Sequence, residues 1–281
     1  MFSQRLTDAD GVDNISEHHS MKAFFRGKGR PVSLTESLLP ISQLCGTGVD
    51  RLISLFPDLL GAAKLIASNF AENILINADR KNMSIEVRNS VDSLYIDEAA
   101  SVCVYAMEYG PYVGLNKLLR VENRHLLSPF VNYLWLLMHG LSKCPKPTSA
   151  IVYRGTTSAI SSHYTVGGVV IWSTFSSCTT KLAVLESAMT LGKGCERTYF
   201  QITLTTNRAR SIRHLRVMPG EDEILLPPNT RLRVMDKADR GNGLWVVQLL
   251  ELPCLDPILV FPDQSGRLLY RRDLHNIPPA P

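Results

Sequence analysis

Apolar positions along the chain change period near residue 145, and that change divides the sequence into two textures. From about 49 to 142 they recur at steps of three and four: Leu52, Leu55, Leu59, Ala62, Ala63, Ile66 and Phe70, then Ala99, Cys103 and Ala106, then Leu134, Leu137, Met138 and Leu141. Such spacing lines one face of a helix, so this half is predicted to be helical. Pro57 suits a first helical turn, and Gly110-Pro111 marks a break between two helices. After Pro145 and Pro147 the pattern becomes short β-rich runs bounded by Gly, Pro, Asn and Ser, at 150–153, 168–172, 198–204, 224–226, 230–235 and 244–250. One helix is expected among them near 181–189, where Leu182, Leu185 and Met189 share a face.

The ends lack such periods. Residues 1 to about 40 mix charge, Gly and Pro, so 1–45 is read as an N-terminal tail; its cations Lys22, Arg26, Lys28 and Arg30 are read as a solvated segment. Residues 253–281 hold six prolines among few apolar runs and read as a Pro-rich tail or surface strap. Between them lies one domain, 46–252, with a helical lobe at about 49–145 and a β block at about 149–252. Helices first and an antiparallel-looking β block second make the fold class α+β.

Composition narrows the function classes. Of 281 residues 45% are hydrophobic and 20% charged, and 30 Lys+Arg against 26 Asp+Glu leave a formal charge of only +4, so a strongly basic nucleic-acid surface is not expected. The longest apolar stretches, 130–138 and 166–172, fall short of the roughly 20 residues a membrane helix needs. The start MFSQRLTDADGVDN has no apolar core of a signal peptide, which makes a cytoplasmic location the expectation. Cys45, Cys103, Cys144, Cys178, Cys195 and Cys254 form no CxxC pair, and the seven histidines show no ligand spacing, so neither a metal site nor a disulfide framework is expected.

Three segments carry candidate chemistry. In Pro219-Gly220-Glu221-Asp222-Glu223-Ile224-Leu225-Leu226-Pro227-Pro228, alternation on an extended chain turns Glu221 and Glu223 to one side and Asp222 to the other. Two adjacent carboxylates repel, which suits them to gripping a cation or sharing a proton; on spacing alone, a solvated acidic turn is the commoner reading. In Ile151-Val152-Tyr153-Arg154-Gly155, an arginine ending an apolar strand offers a guanidinium fork beside an approachable backbone, fit for a phosphate or carboxylate, with a surface ion pair on an edge strand as the commoner case. In 170–180 an apolar strand runs into Ser173, Thr174, Ser176, Ser177, Thr179 and Thr180, hydroxyls that orient a ligand or cap the next helix; Thr180 before Leu182 fits a cap.

Together and in this order, over about residues 94–250, these segments resemble the arginine-specific mono-ADP-ribosyltransferase family and its R-S-E arrangement. Tyr153-Arg154-Gly155 is similar to the family's arginine strand, Phe175-Ser176-Ser177-Cys178-Thr179 to its Ser-Thr-Ser strand with Ser177 at the first serine, and Glu221-Asp222-Glu223 to its Glu-x-Glu loop. Leu115-Asn116-Lys117-Leu118-Leu119-Arg120 is similar to a helix of its N-terminal lobe. Cys178 and Thr179 stand where the family usually has Thr and Ser, and 215–218 lacks an aromatic often found before the loop.

The resemblance implies an ADP-ribosyltransferase-like fold, with two β-sheets behind a helical lobe. It also implies NAD(P)-dependent transfer of ADP-ribose to arginine side chains of proteins, with NAD as co-substrate, nicotinamide released, and no metal, nucleic acid or membrane as partner. Breaking the nicotinamide–ribose bond passes through an oxocarbenium-like state, which a carboxylate stabilises. The family assigns that role to the position of Glu223. Glu221 would orient the acceptor guanidinium, which loses a proton as the new C–N bond forms. Arg154 would hold an NAD phosphate or ribose oxygen, Gly155 would admit the nicotinamide amide to the backbone, and Ser177 would position Glu223. An NAD glycohydrolase using the same residues, or a non-catalytic binding module of the same fold, are the alternatives.

Among the remaining residues, His18-His19 and the stretch Arg208, Arg210, Arg213 and Arg216 are read as solvated, with self-modification of one of these arginines as the lesser option. His214 lies near the acidic loop without a partner that the sequence identifies. Tyr153, Trp172 and Phe175 are read as core aromatics.

Overall fold

The computed structural model describes residues 33–42, 94–107, 110–121, 123–157, 160–186, 196–215 and 222–254. The apolar series at 52–70, Pro57, His18-His19, the basic run at 22–30, Cys45, Cys195, Glu221 and the stretch 255–281 lie outside them.

The helical lobe is built from α1 (Leu34–Ser42), α2 (Ile96–Ala106), α3 (Tyr112–Arg120), a 3-10 turn (Arg124–Phe130) and α4 (Val131–Lys143). Helix α1 corrects the expectation of a tail through residue 45. Its Leu34, Leu38 and Ile41 are fully buried in the lobe's core. Burial of three such side chains contributes about 1.5–3 kcal/mol each, which offsets the roughly 3 kcal/mol cost of Pro40 inside the helix. The Leu34 amide donates to Asp97 Oδ1 at 2.8 Å, so the first turn of α2 caps α1.

The expected periodic positions Ala99, Cys103, Leu134, Leu137, Met138 and Leu141 are all buried where α2 packs on α4. Gly140 sets how close the two helices come. A Cβ there would lie 2.5 Å from the Glu98 carbonyl oxygen, nearer than atoms approach without a backbone shift. Beside this contact the buried Glu98 carboxylate accepts from Lys143 Nζ at 2.5 Å and from the Tyr95 amide at 3.1 Å, which ties the start of α2 to the end of α4. The Gly110-Pro111 break falls between α2 and α3 as the sequence predicts; a Cβ at Gly110 would lie 2.0 Å from the Val104 carbonyl oxygen.

The β block comprises β1 (Ile151–Thr156), β2 (Val169–Trp172), β3 (Ser176–Cys178), the short helix α5 (Leu182–Glu186), β4 (Arg197–Thr203), β5 (Arg210–Ser211), β6 (Ile224–Leu226), β7 (Thr230–Asp239) and β8 (Leu244–Leu252). Strands β1-β4-β8-β7-β2 form one sheet and β3-β6-β5 a second; every pairing is antiparallel except β4 with β8. The α+β class with two sheets behind a helical lobe therefore holds. Strand β7 runs past the expected residue 235 to Asp239 through a bulge between Val234 and Asp236. The expected helix at 181–189 is described over Leu182–Glu186; its Leu185 is buried under Tyr153 and Tyr199, whereas Leu182 turns outward.

Two cores meet at the small sheet. Leu225 belongs to the core of the helical lobe, while Ile224, Leu226 and Cys178 belong to the core between the sheets. The alternation of a three-residue strand thus divides its faces between two hydrophobic clusters. Strands β3 and β5 have too few apolar residues to be read from periodicity; β3 is expected only through the resemblance of 175–179 to the Ser-Thr-Ser strand.

The helix contact at Gly140 yields a direct test. Gly140→Ala is expected to destabilise the protein by about 1–3 kcal/mol, because the added methyl must force α4 from α2. That corresponds to a melting temperature lower by roughly 2–10 °C; an unchanged or raised melting temperature by differential scanning calorimetry would show that the helices give way freely.

Candidate active site

Arg154 of β1, Ser177 of β3 and Glu223, the residue just before β6, converge where the sheets meet. Strand β1 is an edge of the large sheet, and its Tyr153 exchanges backbone hydrogen bonds with Thr179, just beyond β3, at 2.7 and 2.9 Å. This bridge draws the arginine strand onto the hydroxyl strand. Strand β3 pairs with β6 so that Ser177 stands opposite Leu225, and Glu223, two residues before Leu225, shares its parity. Ser177 and Glu223 therefore rise on the same face. The Ser177 hydroxyl donates to Glu223 Oε1 at 2.6 Å, and Arg154 Nη1 donates to the Ser177 carbonyl at 2.9 Å.

All three are buried, Glu223 at 0%, Arg154 at 3% and Ser177 at 4% exposure. A carboxylate and a guanidinium so deep in the fold would each be costly alone, and charge-assisted hydrogen bonds offset the lost hydration. The acidic segment is thus not a solvated turn at Glu223, and Arg154 is not a surface ion-pair residue. The arrangement holds a hydroxyl-anchored carboxylate and a fixed cation within one small volume. Gly155 follows Arg154 in β1, buried and paired with Tyr199.

Asp222 turns the other way, as alternation predicts. Its carboxylate Oδ2 accepts from the Thr180 amide at 3.2 Å and from the Thr180 hydroxyl. Thr180 thus donates its hydroxyl to Asp222, while at the same turn Thr179 Oγ1 accepts from the Lys181 amide at 3.1 Å just before α5.

The helical lobe reaches the site through Asn116 of α3. Its side chain donates from Nδ2 to the Phe175 carbonyl at 3.4 Å and accepts at Oδ1 from the Phe175 amide at 3.3 Å, fixing the segment that leads into β3. Phe175 packs against Tyr105 at 5.1 Å between ring centroids. Sequence reasoning singled out neither contact, since a lone asparagine in a helix shows no pattern.

The basic stretch before the acidic loop is a correction. Arg208 and Arg210 are buried, at 6% and 2% exposure, and are not solvated. Arg208 donates to the carbonyls of Pro228 and Asn229, and Arg210 to those of Ser142, Asn207 and Ala209. Desolvation pushes the Arg210 pKa down to about 10, so it stays charged at neutral pH. Arg213 is exposed, and Arg216 lies outside the described residues. His214 is half-buried, and desolvation lowers its pKa to about 4, leaving a neutral imidazole at neutral pH.

Cys178 sits next to Ser177 with its thiol facing the core between the sheets. Burial pushes its pKa up to about 12, with Arg154 opposing and Glu223 adding to the rise. Cys103 and Cys144 are also raised to about 12 by burial. Such thiols are expected to resist iodoacetamide in the native protein at pH 8 and to react once it is unfolded. A group whose folded pKa lies above its unfolded value contributes stability that is present below the unfolded value and lost as pH rises. Thermal stability should therefore fall between pH 9 and 12, less steeply in Cys103→Ala, and rapid native alkylation of Cys178 by mass spectrometry would contradict its burial.

Comparison with known proteins points to one family. The model of the family described as NAD:arginine ADP-ribosyltransferase matches residues 71–252. Among solved structures, the type III effector XopAI from Xanthomonas axonopodis pv. citri is similar at a TM-score of 0.56 and 12% identity, over 83% of this chain and 88% of that one. The ADP-ribosyltransferase Vis from Vibrio splendidus, in complex with an inhibitor, is similar at a TM-score of 0.50 and 15% identity, over 74% and 94%. The C3 exoenzyme from Clostridium limosum matches at 0.47 and 13%, over 66% and 95%. No curated protein sequence matches significantly. With the family model covering more than half of its length, this chain belongs to the NAD:arginine ADP-ribosyltransferase family.

Proposed function

We propose that this family member transfers ADP-ribose from NAD to arginine side chains of a protein, releasing nicotinamide. The observation that carries the reading is the buried constellation of Arg154, Ser177 and Glu223, in which a serine hydroxyl 2.6 Å from the carboxylate fixes its direction.

In this reading Glu223 hydrogen-bonds the NAD ribose and stabilises the positive charge that grows as the nicotinamide–ribose bond breaks. Preorganisation is the source of its effect, because a carboxylate already oriented in a buried site needs no rearrangement when charge develops. Ser177 acts on Glu223 and not on substrate. Arg154 serves two ends, since its Nη1 braces the Ser177 carbonyl while its charge draws the NAD pyrophosphate. Gly155, without a side chain, lets the nicotinamide amide approach the β1 backbone.

Glu221 is the acceptor-side residue. It draws in the guanidinium of the target arginine and takes its proton as the guanidinium nitrogen bonds the ribose carbon. Two carboxylates two residues apart divide the work, one for the electrophile and one for the nucleophile. Water in place of arginine would make the same site a glycohydrolase. Among the described residues no group of His, Cys, Asp and Glu could hold a metal ion. NAD is read as the co-substrate and a protein arginine as the acceptor, with a cytoplasmic site of action.

The experiment follows labelled NAD with and without agmatine as a soluble guanidine acceptor. Glu223→Gln is expected to lower both transfer and NAD hydrolysis by about 10²–10³-fold, whereas Glu221→Gln should lose transfer and keep hydrolysis. Parallel loss of both activities in the two variants, with the fold intact by circular dichroism, would refute the division of roles. Arg154→Lys is expected to weaken NAD binding about ten-fold or more, because an ammonium cannot replace a guanidinium fork. Unchanged affinity by calorimetry would remove Arg154 from the nucleotide site.

A further inference from the structure

Of the arginines that precede the acidic loop, the structure describes three, and it treats them differently. Arg208 and Arg210 are buried and commit their guanidinium groups to backbone carbonyls. Arg213 is exposed, and among the described residues no hydrogen bond or ion pair holds its side chain. Its backbone, by contrast, is firmly placed. Arg210 and Ser211 pair with Leu225 and Ile224, and the Ile212 amide then donates to the Glu223 carbonyl at 3.1 Å. Arg213 follows at once, opening the 3-10 turn Arg213–Leu215. The turn closes with the Leu215 amide donating to the Ile212 carbonyl at 3.0 Å, and the buried Leu215 accepts from Cys103 Sγ at 2.8 Å. An exposed guanidinium is thereby carried on a fixed backbone beside the carboxylate that serves the ribose.

We propose that Arg213 is an ADP-ribose acceptor within its own chain, so that the protein modifies itself there in cis at the expense of NAD. This rests on the transferase reading. The backbones of Arg213 and Glu223 are separated by one strand spacing, about 4.8 Å, and one residue step, about 3.8 Å, a gap that an arginine side chain spans. Asp222, the other acidic side chain described here, gives its Oδ2 to Thr180 and forms no ion pair with Arg213. In the transfer, the bond between the nicotinamide nitrogen and the ribose C1′ breaks and nicotinamide leaves with the electron pair. A guanidinium nitrogen of Arg213 bonds C1′ and yields one proton to solvent; nothing is oxidised or reduced. A tethered acceptor is present at high effective concentration and needs no diffusional encounter. Arg240 supplies the contrast. It is exposed too, but it lies beyond the far end of β7, roughly 30 Å along that strand from Thr230 by strand rise.

The test incubates the full chain with NAD and maps ADP-ribosylated peptides by mass spectrometry, with agmatine transfer measured in parallel. Wild type is expected to carry ADP-ribose on Arg213 and not on Arg208, Arg210 or Arg240. The first-order rate constant should stay within about two-fold over a roughly hundred-fold range of protein concentration. Arg213→Lys keeps the charge and loses the guanidinium; it is expected to lower self-modification about ten-fold or more and to leave agmatine transfer within about two-fold. Glu223→Gln protein mixed with wild type should remain unlabelled. Agmatine transfer with no label on Arg213 overturns the proposal and leaves the transferase reading intact, as does a rate that rises with protein concentration while label appears on the Glu223→Gln chain. Transfer to neither agmatine nor protein overturns the transferase reading, and the role of Arg213 with it.

Discussion

A fully buried carboxylate must be held by hydrogen bonds, since the cost of removing it from water is several kcal/mol. Glu223 meets this condition through Ser177, and Ser177 is in turn braced from behind by Arg154. The three residues form a relay from β1 through β3 to the residue just before β6: guanidinium to carbonyl, hydroxyl to carboxylate. None of the strands can slip without breaking it, because a one-residue shift of β6 would turn Glu223 into the hydrophobic core between the sheets. The register of the small sheet and the chemistry of the site are thus one constraint.

The helical lobe supports this constraint from the side. Asn116 grips both the backbone N–H and the carbonyl of Phe175, and Arg210 reaches from β5 to the Ser142 carbonyl near the end of α4. Ser211 adds a backbone bond to the Pro145 carbonyl at 2.8 Å. Cationic and amide side chains bind backbone carbonyls at the junction, where regular ladders end and main-chain groups would otherwise be buried unpaired. The junction is therefore polar but buried, a setting in which electrostatic effects are strong.

Much of the architecture was legible in the sequence because it rests on period. The buried faces of α2 and α4, the break at Gly110-Pro111 and most strands of the large sheet follow from apolar spacing, and the opposed orientations of Asp222 and Glu223 follow from alternation. The R-S-E resemblance located Arg154, Ser177 and Glu223 across nearly 70 residues, a distance that no local pattern spans. Where expectation and structure part, charge or brevity concealed the structure. Arg208 and Arg210 look like surface residues because nothing in the sequence announces the carbonyls of Pro228, Asn229 and Ser142 that receive them. Helix α1 was hidden by Pro40 and by the charged stretch before it, although Leu34, Leu38 and Ile41 have the right spacing. Strand β3 is a run of hydroxyls whose strand character comes wholly from its partner, β6.

The order of strands in the large sheet has a consequence for how the protein comes into being. Strand β8 lies in the middle, parallel to β4 on one side and antiparallel to β7 on the other, yet it is the last of the eight to be synthesised. Until residues 244–252 leave the ribosome, β4 and β7 have a missing neighbour between them, and the sheet that carries Arg154 remains split. Non-local pairing of this kind is slow to form and leaves strand edges open in the meantime. Chemical competence is therefore withheld from the nascent chain: the arginine strand acquires its completed support only after almost the entire domain has been made.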